Sequence, residues 1–258
     1  MNRMRRFFLL LPLLGFAVSL GPALSLAGDP KSSAPKKRDR KPAPVMSYQG
    51  AGWLERLSRE REENPQKLIA ALKLEPGDVV ADIGCGSGYY ARRMAPMVGP
   101  SGKVYGVDIQ PEMLQIMKQL MKRDGVTNIE AVLGEPTDPK LPPGSVDWML
   151  LVDVYHEFQD PAPMLAKMRE ALKDDGKVAL VEFRLEGATA RHIKIDHRMS
   201  PAQVMAEWEP AGYTLLELNE DLPTQHLFIF GKTPAKSSDA SADTEVTPAS
   251  HPVEKREG

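Results

Sequence analysis

The stretch that most limits what this chain can become is Val79-Val80-Ala81-Asp82-Ile83-Gly84-Cys85-Gly86-Ser87-Gly88-Tyr89. Three apolar residues lead into an acidic one, and glycine then takes every second position. A short apolar run bounded by turn signals reads as a buried strand. Gly84, Gly86 and Gly88 read as a tight turn that a ligand can approach closely, since no side chain fills it. Tyr89 to Met97 continues as a helix. Strand, glycine turn and helix N-terminus with free N–H groups make a nucleotide-type site. A second apolar strand, Val104-Tyr105-Gly106-Val107-Asp108, places a carboxylate twenty residues after Gly88. In doubly wound folds such a carboxylate accepts hydrogen bonds from ribose hydroxyls, and it can take two because it only accepts.

The dinucleotide fingerprint is G-x-G-x-x-G. Here the third glycine comes one residue early, at Gly88, and Tyr89 fills the fingerprint position. With Asp82 two residues before the first glycine, the D-x-G-x-G-x-G form resembles motif I of the class I S-adenosylmethionine-dependent methyltransferases. The resemblance covers Glu75 to Lys232 and is to the methyltransferase-domain proteins related to the ubiquinone and menaquinone C-methyltransferases, in an exported bacterial branch. It implies S-adenosyl-L-methionine as cofactor. It puts Gly84, Cys85, Gly86, Gly88 and Tyr89 around the methionine part and Asp82 near its amino group. Asp108 and Ile109 fall at the ribose, Glu135 at the adenine amino group, and Asp153 closes the cofactor-binding set. The implied fold is α/β, a Rossmann-like doubly wound seven-stranded sheet with a C-terminal antiparallel strand.

A fourth strand, Val146 to Asp153, runs into Val154-Tyr155-His156-Glu157-Phe158, which resembles motif IV of the same family. Ligands in open α/β sheets bind at the carboxyl ends of the strands. Tyr155, His156 and Glu157 therefore stand where a methyl acceptor belongs and are the catalytic candidates, with His156 a natural base near neutral pH. The competing reading is that His156 and Glu157 only anchor the next helix. His192 and His197 are five apart with no fitting carboxylate, so no metal site is expected, and surface placement fits them better than contact with substrate.

The remaining elements follow from period and punctuation. Helices are expected over Pro65–Leu74, Pro111–Arg123, Pro161–Leu172 and Ser200–Ala211, each with proline in its first turn. Asp124-Gly125 and Gly212 are stop signals. Asn128–Leu133 and Lys177–Phe183 are strands, and Lys173 to Lys177 is a turn. Tyr213–Leu218 and His226–Gly231 form a closing antiparallel pair that the usual dehydrogenase order lacks. Within Ser47 to Asn64 the charged part reads as a helix with Glu and Arg three or four apart, and Tyr48 and Trp53 either pack the segment down or close over the site.

The ends read differently. Met1 to Arg6 is basic, and Phe7 to Gly28 carries no charge and ends Ser25-Leu26-Ala27. This is the pattern of a secretory signal peptide over residues 1–27, and it predicts a periplasmic or extracellular protein. The alternative is an uncleaved membrane anchor, since the run is long enough to span a bilayer. Residues 28–44 hold six Lys/Arg against two Asp/Glu and read as a disordered basic linker that can touch anionic lipid. Residues 233–258 read as a disordered tail, leaving 45–232 as one domain. A net charge of -2 argues against a general nucleic-acid binder. One cysteine excludes an internal disulfide and a thiolate metal cluster. The expected partner is a small-molecule or quinone-like, lipid-like methyl acceptor. Two other readings stand beside it: a non-catalytic binding module that kept the fold, and a nicotinamide-dependent oxidoreductase, which the glycine spacing and the missing Tyr-x-x-x-Lys pair disfavour.

Overall fold

A computed structural model describes residues 41–234. The signal-peptide and membrane-anchor readings and nearly all of the linker and tail readings fall outside these residues. Residues 41–44 fall inside, and they correct the linker boundary. Ala43 is fully buried, and its N–H donates to the His156 carbonyl at 3.0 Å, so the folded chain begins before residue 45. No helix among the described residues is long and apolar enough to cross a membrane.

A lead-in of two short helices, α1 (Ala51–Leu54) and α2 (Arg59–Glu63), precedes α3 (Pro65–Leu72). Then strand and helix alternate: β1 (Val79–Ile83), α4 (Ala91–Val98), β2 (Lys103–Asp108), α5 (Pro111–Asp124), β3 (Ile129–Leu133), β4 (Val146–Val152), α6 (Pro161–Ala171) and β5 (Leu172–Arg184). A two-residue strand β6 (Arg198–Met199), helix α7 (Pro201–Trp208) and the strands β7 (Tyr213–Asn219) and β8 (Gln225–Lys232) complete it. The sheet order is β3-β2-β1-β4-β5-β8-β7. β1 to β5 run parallel, and β8 is antiparallel to both β5 and β7, the closing pair expected from the sequence. The short β6 adds an eighth strand beside β5, because the polar connection after Arg184 returns to the sheet instead of staying on the surface. The expected turn at Lys173–Lys177 is extended backbone within β5. Pairing there jumps from Val146–Leu172 to Trp148–Lys177, so the extra residues bulge.

The alternation of side chains along each strand divides the core between the two faces of the sheet. Val80, Val104, Leu150 and Val181 point toward α3, α4 and α5, with Leu72, Met94 and Met117 packed on them. Ala81, Val107, Leu151 and Leu180 point toward α6 and α7, with Met168 and Trp208. The Trp208 ring stacks on Phe230 at 4.5 Å between centroids and tilts against Tyr213 at 4.9 Å. Each such side chain, fully buried, contributes about 1.5–3 kcal/mol. Helix ends follow local rules. Ser200 and Gln203 form a reciprocal capping box, and Gly125 stops α5 at φ +67°. The parallel strands all end at one edge, and the cavity described next opens there.

Candidate active site

The glycine turn leaves β1 with Gly84, Gly86 and Gly88 at φ +71°, +53° and +76°, a region that side chains avoid. A Cβ on Gly84 would lie 2.4 Å from Val154 Cγ2, and one on Gly86 would lie 2.6 Å from Leu54 Cδ1. The turn is held from below. Gly84 and Cys85 donate their N–H groups to the Val107 carbonyl at 2.8 and 2.9 Å, and Gly86 donates to Asp108 Oδ2 at 2.9 Å. Asp108 Oδ1 takes the Gln110 N–H at 2.9 Å. Burial pushes the Asp108 carboxyl up, and these backbone N–H bonds pull it back only in part.

A cavity of about 450 Å³ opens above this turn. Of the residues chosen from the sequence, Gly84, Gly86, Asp108, Ile109, Glu135, Asp153, His156 and Glu157 line it. Five do not, each for a visible reason. Asp82 turns into the sheet and accepts the Ala91 N–H at 2.9 Å, anchoring the start of α4, and burial pushes its carboxyl up to about 7. Cys85 is buried with its sulfur 3.8 Å from Met117 Sδ. Gly88 leaves room for that same Met117, since a Cβ there would come within 2.4 Å of it. Tyr89 is a strut to the lead-in, its hydroxyl donating to Glu60 at 2.8 Å and its ring under the Arg93 guanidinium at 3.6 Å. Tyr155 is fully buried, with its ring edge-on to Phe158 and its hydroxyl donating to Glu207 at 2.7 Å. It belongs to the core and is withdrawn as a catalytic candidate.

The lead-in supplies a wall that sequence reasoning left open. Val45, Met46, Trp53, Leu54 and Arg59 all line the cavity, so Trp53 closes over the site. Two side chains hold the segment down: Gln110 Nε2 donates to the Met46 carbonyl at 2.8 Å while Gln110 Oε1 accepts the Tyr48 N–H at 2.9 Å, and Glu157 Oε1 accepts the Met46 N–H at 3.1 Å. The charged helix α2 is not the solvated face its pattern suggests. Arg59 and Glu63 are both buried and paired at 2.7 Å. The i, i+4 spacing was legible; the burial was not, because it depends on Tyr89 and Tyr90, whose rings lie 4.3 and 5.0 Å from the Arg59 guanidinium.

Glu182, on β5, carried no signal in the sequence beyond an acidic residue in an apolar strand. It has no solvent exposure, and its Oε2 accepts from His156 Nδ1 at 2.6 Å. Its Oε1 accepts the backbone N–H groups of Tyr155 at 2.8 Å and His156 at 3.3 Å. Burial alone would lower the His156 pKa, but the Glu182 carboxylate more than offsets that and raises it to about 9. Beside it, burial lifts the Glu157 carboxyl to about 7, with His156 and the Met46 N–H opposing. Asp153 has φ +52°. Its Oδ2 accepts from Gln225 Nε2 at 2.8 Å, while Oδ1 reaches neither solvent nor a partner among the described residues. Glu135 is an exposed side chain at the rim, paired with Lys140 at 3.0 Å. His192 and His197, read from the sequence as surface groups, both reach the cavity wall, and the His197 ring lies 5.0 Å from that of His156.

The glycine cradle, the Asp108 carboxylate and the unpartnered Asp153 oxygen fit a ligand with a compact polar end and ribose hydroxyls. A family profile described as "Methyltransferase domain" matches residues 74–221. The chain belongs to this methyltransferase family. Its cofactor is S-adenosylmethionine, and its sheet is that of the class I enzymes, with β8 and β7 as the antiparallel edge. Among similar proteins, a demethylmenaquinone methyltransferase of Geobacillus sp. (strain WCH70) is 28% identical over 117 residues, covering 45% of this chain and 50% of that one. Nocamycin O-methyltransferase of Saccharothrix syringae is 30% identical over 115 residues, 45% of this chain and 41% of that one. The matches thus span half or less of these relatives. The crystal structure of a SAM-dependent methyltransferase from Aquifex aeolicus superposes with a TM-score of 0.68 at 24% identity, over 74% of this chain and all of that one, a likeness of fold.

Proposed function

We propose that this methyltransferase-family protein transfers the methyl group of S-adenosylmethionine to a small, largely apolar acceptor of quinone-like or lipid-like character. The observation that carries the reading is the divided cavity. On one side stands a backbone cradle of glycines with Asp108. On the other stand His156 and Glu157 among Phe158, Met164 and Phe183. The demethylmenaquinone and nocamycin methyltransferases among the relatives support a small acceptor.

When bound, the cofactor supplies an electrophilic methyl carbon on a sulfonium. The residues of this chain would hold and align the two reactants. Gly84 and Gly86 leave space for the methionine part, Asp108 accepts from ribose hydroxyls, and Ile109 and Glu135 flank the adenine. The Asp153 oxygen offers an acceptor to an ammonium group. Positioning of this kind can supply on the order of 7 kcal/mol or more in good cases. The lead-in excludes water by covering the cavity with Trp53 and Leu54. His156 and Glu157 face the acceptor.

Calorimetric titration of the full chain with S-adenosylmethionine and with NADH tests this. Binding of the first alone, weakened by Asp108→Ala, is expected. Binding of neither would leave a protein that kept the fold without the activity. Export is a separate proposal from residues 1–27, checked by locating the protein in cell fractions; recovery in the cytoplasm would remove it.

A further inference from the structure

We infer that the half of the cavity beyond β4 is a subsite for an ionised oxygen, formed by His156, His197 and Lys194 with Glu182 as positioning residue, and that it takes phenolic or enolic acceptors as their anions. The inference rests on the methyltransferase reading and narrows its acceptor class.

The Glu182 geometry comes first. One carboxylate holds His156 at Nδ1 and its backbone N–H and also takes the Tyr155 N–H before it, with no solvent contact. The ring cannot turn without breaking a buried charge-assisted bond. Nδ1 is thereby committed as a donor to Glu182. Nε2 is the remaining ring nitrogen, it has no partner among the described residues, and the residue lines the cavity. A carboxylate on Nδ1 also favours a proton on the other nitrogen, consistent with the raised pKa of about 9. At neutral pH the ring offers the cavity an N–H donor with positive charge. A donor in that state holds an oxygen anion; it does not remove a proton.

The neighbours repeat the arrangement. His197 has its Nδ1 on Asp196 at 2.8 Å and its ring 5.0 Å from that of His156. Lys194, at the mouth, adds a second cationic group beside His156. The carboxylates that also face His156 are Asp153 and Glu157. Burial pushes both carboxyls up, Glu157 to about 7, which weakens them as counter-charges to the ring. Phe158, Met164, Phe183 and Ile193 make the apolar part of the wall, with Gln159 and His192 beside them. Apolar walls suit a flat conjugated body and strengthen a charge–charge contact between them. An acceptor without an oxygen would leave these donors without a partner, a neutral oxygen would meet them without the charge–charge attraction, and a cationic one would meet like charge.

The test uses the full chain saturated with S-adenosylhomocysteine, which binds without turnover, and 4-nitrophenol, whose phenolate is read by its visible absorbance. The bound phenol is expected to ionise at least one pH unit below its value in free solution, a tenfold preference for the anion. His156→Gln is expected to reduce that preference at least threefold. Glu182→Gln does the same, because the ring loses the partner that keeps it charged, and an NMR titration of His156 in that variant is expected to shift down by more than one unit. Nitrobenzene, the same ring without the hydroxyl, is expected to bind at least tenfold more weakly than the phenolate and to be insensitive to His156→Gln. Bound 4-nitrophenol that titrates as it does in solution overturns the subsite, as does an unchanged preference in His156→Gln. Should Glu182→Gln not fold, His156→Gln decides. Calorimetry with S-adenosylhomocysteine alone separates the two levels. No binding removes the methyltransferase reading itself, whereas binding with an unshifted phenol removes only the anion subsite.

Discussion

The two halves of the cavity are built from different materials. The half around β1 and β2 is made of backbone: glycines at positive φ, N–H groups fixed by the Val107 carbonyl, and one carboxylate gripping Gly86 and Gln110. The half around β4 and β5 is made of side chains gathered from the lead-in, the turn after β4, the C-terminal end of β5 and the 192–197 connection. A site made of backbone is encoded in one contiguous stretch, because glycine adopts those dihedrals at least cost and leaves the space that a Cβ would fill. A site made of side chains is encoded wherever the fold brings them together, and no single stretch shows it.

The contrast can be broken most forcefully at Gly84. Gly84→Val adds a branched side chain where a Cβ would already lie 2.4 Å from Val154, at φ +71°. A loss of about 3 kcal/mol or more and of S-adenosylmethionine binding is expected, combining backbone strain with overpacking. Adding Val154→Ala is expected to recover the steric part only. Chemical denaturation with wild-type stability for Gly84→Val would show that the cradle is not fixed as described.

On the other side, Glu63→Ala leaves the Arg59 guanidinium buried without its counter-ion, and about 3 kcal/mol is the expected cost by urea unfolding. In the backbone half, Asp108→Asn keeps the shape and removes the charge. The dissociation constant for S-adenosylmethionine is expected to rise about tenfold to a hundredfold, the value of a hydrogen bond to a charged group. Glu135→Gln, at the exposed rim, is expected to change it less than about threefold.

Acidity gives a subtler separation. Glu157 binds its proton more tightly folded than unfolded, so its contribution is largest at low pH and is lost as pH rises from its ordinary value to about 7. His156 also holds its proton more tightly when folded. Its contribution is complete below the unfolded value and is lost as pH climbs through about 9. Glu157→Gln is therefore expected to stabilise the protein by about 1–2 kcal/mol at pH 8 and to change little at pH 4. His156→Gln is expected to flatten the fall in stability between neutral pH and pH 9. The smallest effect belongs to Lys167→Ala, which removes an exposed ion pair with Glu170 and is expected to leave the urea midpoint unchanged. It calibrates the others.

What could be read in advance follows the same division. The strand order, the antiparallel closing pair, the caps at Ser200 and Gly125 and the cradle at Gly84 and Gly86 were legible, because each depends on period or on a residue's own conformational limits. Asp108 was legible from its place at the end of an apolar strand. Tyr155 was misplaced because position in the chain puts it beside His156, while its side chain turns the other way into the Trp208 cluster. Asp82, Cys85, Gly88 and Tyr89 were assigned to the ligand because they share a motif with Gly84 and Gly86. In the structure they hold α4, Met117 and the lead-in in place. Glu182 and Arg59 were missed because a charged residue in an apolar strand or a charged helix acquires its meaning only from what buries it.

The lead-in carries a consequence of its own. It adds no strand to the sheet, and Val45, Met46, Trp53 and Leu54 form cavity wall while the sheet below stays intact. Changes at Val45, Met46 and Trp53 can reshape the chamber while leaving the strands beneath it in place. The cavity wall and the glycine turn are thus carried largely by different stretches of the chain. A library confined to residues 45–59 is the shortest route to new specificities on this scaffold.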